Sequence, residues 1–346
     1  MQIEFRTVDL LMAHTWKISR SAGSNAEQVV VLKLTAPDGT TGLGEAAPIS
    51  RYQESIATVG AFLQKVDARK LSFADVAGGM AYLDTLSAGD HAAKCAVNIA
   101  LLDGAARLAG KPIYDFLGLG FRENQHITSF TIGIDTPDII RKKVLAAESF
   151  SVLKMKVGAP EDQANLAALR EVAPQKTIRV DANEGWKTKE HALEMIEWLA
   201  RDGRIEYIEQ PMPASTPVAD WVWLKARSPL PIFADESYHC AKDAERAAEC
   251  FHGVNVKLVK TGGISGGFAA LSAARKLGLK TMLGCMIETS ILISAGAHLA
   301  ELCDHLDLDG SVLITNDPYL GVTTSQGKVS FASATEKTGL RVCPRS

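Results

Sequence analysis

From the middle of the chain onward, charged residues recur at intervals close to one strand plus one helix. Lys156 ends the apolar run "SVLKMK", Asp181 ends "IRVD", Glu209 ends "IEYIE", Asp235 follows "PIFA" and Lys257 ends "VNVK", at steps of 25, 28, 26 and 22 residues. The same ruler reaches back to Thr131 in "ITSFTIG" and forward to Leu283 in "KTMLGC" and Asp309 in "LDLDG". Eight strand ends in a row are what closes a barrel of parallel strands, and the C-terminal ends of such strands build its active site.

The residue types at those ends define a chemistry. Carboxylates on three consecutive strands, Asp181, Glu209 and Asp235, repel one another unless a cation sits among them. With no His or Cys in the set, hard oxygen ligands favour one magnesium ion per chain, with manganese as the alternative, and leave positions for water and substrate. A single Asp in a βα loop is often only a helix N-cap. Three in succession between two lysine-bearing strands go beyond that explanation.

Lys156 on the second strand and Lys257 on the sixth lie opposite each other in an eight-membered ring, with the carboxylates on the arc between them. Two bases facing one carbon from opposite sides suit a reaction that takes a proton from one face and returns it to the other. A lone interior lysine is more often snorkelling or ion-paired; the opposed pair is not. A lysine acts as a base near neutrality only if its pKa is lowered, and Lys154, Lys260 and the metal are expected to push that way. Lys260 rivals Lys257, but the 22-residue step from Asp235 favours Lys257.

"CDHLDLDG" places Asp307 and Asp309 at i and i+2 on the eighth strand, so both are expected to face the cavity. Two acids there call for a cationic group on the substrate, unless they are an exposed pair in a loop. The chemistry then points to a small molecule with a carboxylate at one end and an ammonium at the other.

The elements that must carry these residues follow from periodicity. Residues 1 to about 50 read as strands, with "EQVVVLKLTA" the clearest and "PDG" its turn. Residues 53 to 118 switch to the helical period in "ESIATVGAFLQKV" and "HAAKCAVNIALLDGAARLAG". From about 126, strand-like and helix-like stretches alternate. The expected architecture is α/β: an α+β capping domain over 1–125 and a TIM-type barrel over 126–314. A hairpin-like tail over 315–346 returns to the cap.

Composition excludes several classes. The chain has 346 residues, 47% of them apolar, and a formal charge of −3, which gives no reason to expect nucleic acid or an anionic membrane as partner. No apolar run is long enough to span a bilayer, and the first residues lack the pattern of a secretory signal. Six cysteines without metal or disulfide spacing fit reduced thiols in the cytoplasm.

Lys154-Met155-Lys156, "DAN" at Asp181, "EQP" at Glu209, "DES" at Asp235 and "VKLVKTGG" at Lys257 together resemble the enolase superfamily, in its muconate lactonizing enzyme subgroup. The resemblance also takes in "AVNIALLDGAARLAGKPIYDFLG" and so spans nearly the whole chain. It implies a modified (β/α)7β barrel under an N-terminal cap, with Asp181, Glu209 and Asp235 as magnesium ligands. Lys156 and Lys257 are then the bases that move a proton α to a carboxylate; a Lys or His base with magnesium is a known pattern of this superfamily. The D-x-D of Asp307 and Asp309 resembles that of dipeptide epimerases, such as those acting on L-Ala-D/L-Glu in peptidoglycan recycling, where it binds the substrate ammonium. The resemblance places a mobile lid near residue 20, here "WKISRSAGSN", where Arg20, or failing that Lys17, would pair with an acidic second residue such as glutamate. Thr131 and Lys154 complete the expected substrate contacts. Rival activities within the subgroup are N-acylamino acid racemase, o-succinylbenzoate synthase and cycloisomerase, whose substrates carry no ammonium for the acidic pair. A silent metal-binding protein has no evident use for two opposed lysines. Members of the subgroup often assemble as homo-oligomers.

Overall fold

The computed structural model describes residues 1–345. Its first element is an antiparallel sheet of β1 (Gln2–Trp16), β2 (Ser24–Thr35) and β3 (Thr41–Ala46), in that order. Three helices follow: α1 (Ile56–Leu63), α2 (Val76–Leu86) and α3 (His91–Leu108). Ser55 starts α1 through a capping box with Thr58, which satisfies end groups that the helix itself leaves unpaired.

Helix α3 is buried on every side from Ala92 to Ala106, wedged against β3. The alternation in "TGLGEA" makes this possible. A Cβ on Gly42 would sit 2.0 Å from the Ala100 carbonyl oxygen, and one on Gly44 would sit 1.9 Å from that of Ala96. Only glycine lets the helix come this close. Asp103, buried within α3, accepts hydrogen bonds from Leu43 N (2.9 Å), Leu340 N (2.7 Å) and Arg107 Nε (2.9 Å). One carboxylate thus joins the sheet, the helix and the tail of the chain.

After β4 (His126–Ile127), eight parallel strands pair in sequence order. They are β5 (Phe130–Ile132), β6 (Val152–Lys156), β7 (Thr177–Asp181), β8 (Ile205–Glu209), β9 (Ile232–Ala234), β10 (Gly253–Lys257), β11 (Lys280–Gly284) and β12 (His305–Asp307). Between β12 and β5 the ring closes just before β5, by a parallel bridge of Thr128 with Leu306 and a hydrogen bond from Ser129 N to Leu306 O of 3.2 Å. An α-helix follows each of the first seven strands. After β12 the described residues hold no α-helix, only 3-10 turns, the first of them Gly310–Val312, and short strands, so the expected (β/α)7β form is the observed one. No helix among the described residues is long and apolar enough to cross a membrane.

The tail meets the cap at several points. Thr315 N donates to Leu11 O at 2.9 Å and Pro112 bridges Gly339, while Lys328–Val329 pairs with β4 at the start of the barrel. Where cap meets barrel, Glu45 of β3 accepts a hydrogen bond from Thr289 N at 2.9 Å and another from the Thr289 hydroxyl, at the start of helix Ser290–Ala297.

Candidate active site

Strand register sets the functional groups at one level. Lys156 of β6 pairs with Asp181 of β7, Asp181 pairs with Glu209 of β8, and Lys257 of β10 is level with Gly284 and, one strand on, Asp307. Asp235 follows directly after β9. The chain leaves β7 and β8 through left-handed residues, Asn183 (φ 44°), Glu184 (φ 66°) and Gln210 (φ 36°). Non-glycine residues hold such angles only where the surroundings over-determine them. Here Asn183 N is fixed by Asp181 Oδ1 (2.9 Å), while the Gln210 side chain bonds Asp235 N (2.9 Å) and Ser237 Oγ (2.8 Å).

The three carboxylates are almost wholly buried, and one ligand oxygen from each lies within 4.8 Å of the others. Burial first, then the charges of Asp181 and Asp235, hold the Glu209 carboxyl above the usual carboxylate range. Three carboxylates this close favour positive charge among them. Asn255 Nδ2 binds Glu209 Oε1 at 2.7 Å. Glu209 Oε2 has Lys154 Nζ 2.7 Å away but off the line of a hydrogen bond, so it is charge-balanced and yet lacks a hydrogen-bond partner. An all-oxygen donor set with such a free lone pair fits a divalent hard cation.

A lysine sits on each outer member of the trio: Lys156 Nζ is 2.6 Å from Asp181 Oδ2 and Lys257 Nζ is 2.8 Å from Asp235 Oδ2. Lys154 Nζ touches Asp181 (3.2 Å), Glu209 (2.7 Å) and Asp307 (2.8 Å). These contacts change the expected electrostatics. Burial pulls the Lys257 ammonium down, but Asp235 and Glu209 more than offset it and the net pKa is raised; Lys154 is raised in the same way by Asp307 and Glu209. The sequence expectation counted neighbouring lysines and missed the carboxylates that touch them. Lys260 is lowered, by burial first and then by Lys257, against the opposite pull of Asp235.

Lys260, the rival base, lies in the short helix after β10. Its Nζ bonds Asp235 Oδ1 (2.6 Å), Asp235 O (2.6 Å) and Asn255 O (3.2 Å). It is no part of the wall of the main cavity, a space of about 1060 Å³ between cap and barrel whose lining includes Lys154, Lys156, Lys257, Asp307, Asp309, Thr131 and Arg20. The carboxylate trio lies directly beneath these lysines.

Asp307 ends β12, whereas Asp309 lies two residues beyond it at the start of the 3-10 turn (φ −102°, ψ 0°). The expected shared strand pleat is therefore not what aims them, although both reach the cavity. Asp307 Oδ1 accepts from Ser129 Oγ (2.7 Å), and Asp309 Oδ2 accepts from Thr131 N (2.6 Å). Burial and the charge of Asp307 raise the Asp309 carboxyl.

The roof comes from the cap. Loop 17–23 docks through Ser19 Oγ on the carbonyl oxygens of Ala182 (3.0 Å) and Asn183 (3.1 Å), and Trp16 sets its ring 5.9 Å from Lys156 Nζ. Arg20 lines the cavity, but its guanidinium is engaged by Glu236 at 2.5 Å, Asn183 O at 3.2 Å and Glu184 at 3.7 Å. Arg51 binds Glu184 through two hydrogen bonds of 2.9 and 2.8 Å. Glu236, Glu184 and Arg51 were not singled out in the sequence. Glu236 and Glu184 were within reach, being one residue past Asp235 and three past Asp181; Arg51 carries no local signal.

The fold and this rim define a family. Residues 140–328 match the enolase C-terminal domain-like family, and residues 2–118 match the N-terminal domain family of mandelate racemase and muconate lactonizing enzyme. The chain belongs to the enolase superfamily, in its mandelate racemase/muconate lactonizing enzyme branch. It is 67% identical to the L-Ala-D/L-amino acid epimerase of Pedosphaera parvula over 99% of both chains. It also superposes on the substrate-liganded L-Ala-D/L-Glu epimerase of Bacillus subtilis with a TM-score of 0.92 at 27% identity, covering 100% of this chain and 99% of the other. The dipeptide epimerase of Cytophaga hutchinsonii complexed with Mg and D-Ala-L-Val gives 0.89 at 27% identity, over 99% and 95% of the two chains.

Proposed function

We propose that this protein is an isomerase that epimerises the C-terminal residue of dipeptides of the L-Ala-D/L-Xaa type by two-base proton transfer. The observation that carries it is the pair Lys156 and Lys257, each seated on an outer member of the carboxylate trio and both lining one cavity. Asp181, Glu209 and Asp235 would hold one Mg2+, or Mn2+ in its place. That ion would supply positive charge to stabilise the negative charge that develops as the α-proton leaves.

The chain's own residues do the rest. One lysine takes the α-proton from one face of the carbon and the other delivers a proton to the opposite face; in reverse they exchange roles. Lys154, fixed by three carboxylates, balances charge beneath the reacting carboxylate and does not transfer protons. Asp309 and Asp307 receive the ammonium of the first residue, with Thr131 N and Ser129 Oγ orienting the two acids. Trp16 and loop 17–23 keep water from the carbanionic centre. In this division the barrel, 126–314, performs the chemistry, and the cap, 1–125 with 315–346, closes over it. The six cysteines are all free, which suits work in the reducing cytoplasm.

The test follows deuterium from heavy water into the C-terminal α-position of a dipeptide panel by proton NMR. Wild type with magnesium is expected to exchange and epimerise. Lys156→Ala and Lys257→Ala are each expected to lose epimerisation by roughly a thousandfold, while each still exchanges one epimer. Exchange of an N-succinyl amino acid with none of any dipeptide would replace this reading with that of an N-acylamino acid racemase.

A further inference from the structure

One buried charge of the barrel has no part in the chemistry proposed above. Arg179 stands two residues before Asp181 on β7, so by the period of a strand it faces the barrel interior, one layer below the carboxylates. It is 4% exposed. Its guanidinium crosses the interior to β12: Nη1 donates to Leu306 O at 2.8 Å and Nη2 lies 3.1 Å from His305 Nδ1, while Nε donates to Glu206 at 2.8 Å. Arginine only donates, so His305 Nδ1 accepts and the ring is neutral, with its proton on Nε2. Burial first, then Arg179, pushes that imidazole down to about 4, in keeping with this.

The junction it reaches is the weakest of the ring. Toward β5 the backbone of β12 makes a single bridge, Leu306 with Thr128, where every other junction pairs at two or more positions. Leu306 O, which closes the ring by accepting from Ser129 N at 3.2 Å, is the same carbonyl oxygen that accepts from Arg179. Both acids assigned to the substrate ammonium hang across this seam, Asp307 on Ser129 Oγ (2.7 Å) and Asp309 on Thr131 N (2.6 Å). Stability alone does not account for a guanidinium here, since an apolar side chain of similar volume often serves a fold as well as a buried ion pair. What the planar fork adds is two fixed bonds to one strand at once.

We propose that Arg179 is a positioning residue for the ammonium site. Clamping β12 from inside the barrel, it fixes the width of the seam, and with it the places of Asp307 and Asp309 relative to Lys156 and Lys257. The ammonium in this proposal rests on the dipeptide reading above; the clamp does not. Without the clamp the two acids shift and hold the ammonium less well, while the bases and the carboxylate trio, on or next to strands paired on both sides, keep their places.

The full chain carrying Arg179→Met or Arg179→Lys tests it. Backbone hydrogen–deuterium exchange by mass spectrometry reads the seam without substrate. Arg179→Met is expected to speed exchange in 126–132 and 305–310 roughly tenfold and to leave β10 at the wild-type rate. Epimerisation of L-Ala-L-Val is expected to show KM raised roughly tenfold and kcat within about twofold of wild type, with Mn2+ affinity by calorimetry unchanged. Arg179→Lys keeps a charge for Glu206 and one donor group, should raise KM about threefold, and carries the test if the methionine variant does not fold. Equal exchange in the seam and in β10 would overturn the proposal. So would a fall in kcat or in Mn2+ affinity with KM unchanged, which would make Arg179 a support of Asp181 on its own strand. A wild type that acts on no dipeptide would remove the dipeptide reading instead, and the exchange comparison would still decide the clamp.

Discussion

The floor and the roof of the cavity are built on different terms. In the floor, Lys154, Lys156, Lys257 and Lys260 contact Asp181, Glu209, Asp235 and Asp307 at 2.6–3.2 Å, all on or next to strands paired on both sides. Removing one member leaves an uncompensated buried charge, at a cost of roughly 3–5 kcal/mol. The roof is held by Ser19, Arg20 and Arg51, and the two arginine side chains are 32% and 38% exposed. The outer pair, Arg51 with Glu184, contributes about 1 kcal/mol or less, while Arg20, itself partly open to water, covers the buried Glu236. On the proposed mechanism the floor fixes the reaction, and the roof is the more weakly held part, the one that would open for substrate.

Stripping the metal should test the floor most severely. Chelation is expected to lower epimerisation by roughly a thousandfold, with recovery on adding Mg2+ or Mn2+; a chelated enzyme that keeps its rate would remove Asp181, Glu209 and Asp235 from the chemistry. Next in size is Asp309→Asn, which should reduce kcat/KM roughly tenfold to a hundredfold for dipeptides with a free ammonium. The same change should leave any slow turnover of N-acetylated dipeptides untouched.

Roof changes should be smaller and of another kind. Because Arg20 is already bound to Glu236, Arg20→Ala is expected to slow L-Ala-L-Glu and L-Ala-L-Val alike, by about threefold. A loss confined to the acidic dipeptide would instead make Arg20 the partner of the substrate side chain.

The smallest effect belongs to the joint between cap and barrel. Burial first, then the charge of Glu45, pushes Glu288 up to about 8; burial first, with a smaller push from Asp317, brings Glu45 up to about 7. Such an acid keeps its proton in the folded state at a pH where the unfolded chain has released it. Folding stability is therefore lost as pH rises from the ordinary Glu value toward 8. Glu288→Gln keeps an acceptor for Met286 N and should raise Tm by roughly 2 °C or more at pH 8.5, with little change at pH 5.

How much of this was legible in the sequence depends on distance along the chain. The barrel and its charged rim could be read because each strand delivers one side chain at a nearly constant interval, from Lys156 to Lys257. The sign of the lysine shifts could not, because it depends on Asp235 lying 2.8 Å from Lys257 and on Lys154 touching three acids. Spacing orders such residues and gives no distances. Asp309 reaches the cavity from a turn and not from the strand, so the i, i+2 pattern expected both acids at the cavity for an incomplete reason. Glu45 and Thr289 meet across 244 positions, and nothing local to either announces the other.

Asp103 has a consequence for how the protein is made. Its carboxylate is buried early in the chain, yet one of its three donors is the backbone of Leu340, 237 positions later. During synthesis the cap emerges first with Leu43 and Arg107 already available to that acid, but it lacks its third donor until Leu340 has followed the barrel out of the ribosome. The domain translated first is thus completed last, which makes folding of the cap a late check that the whole barrel has been delivered.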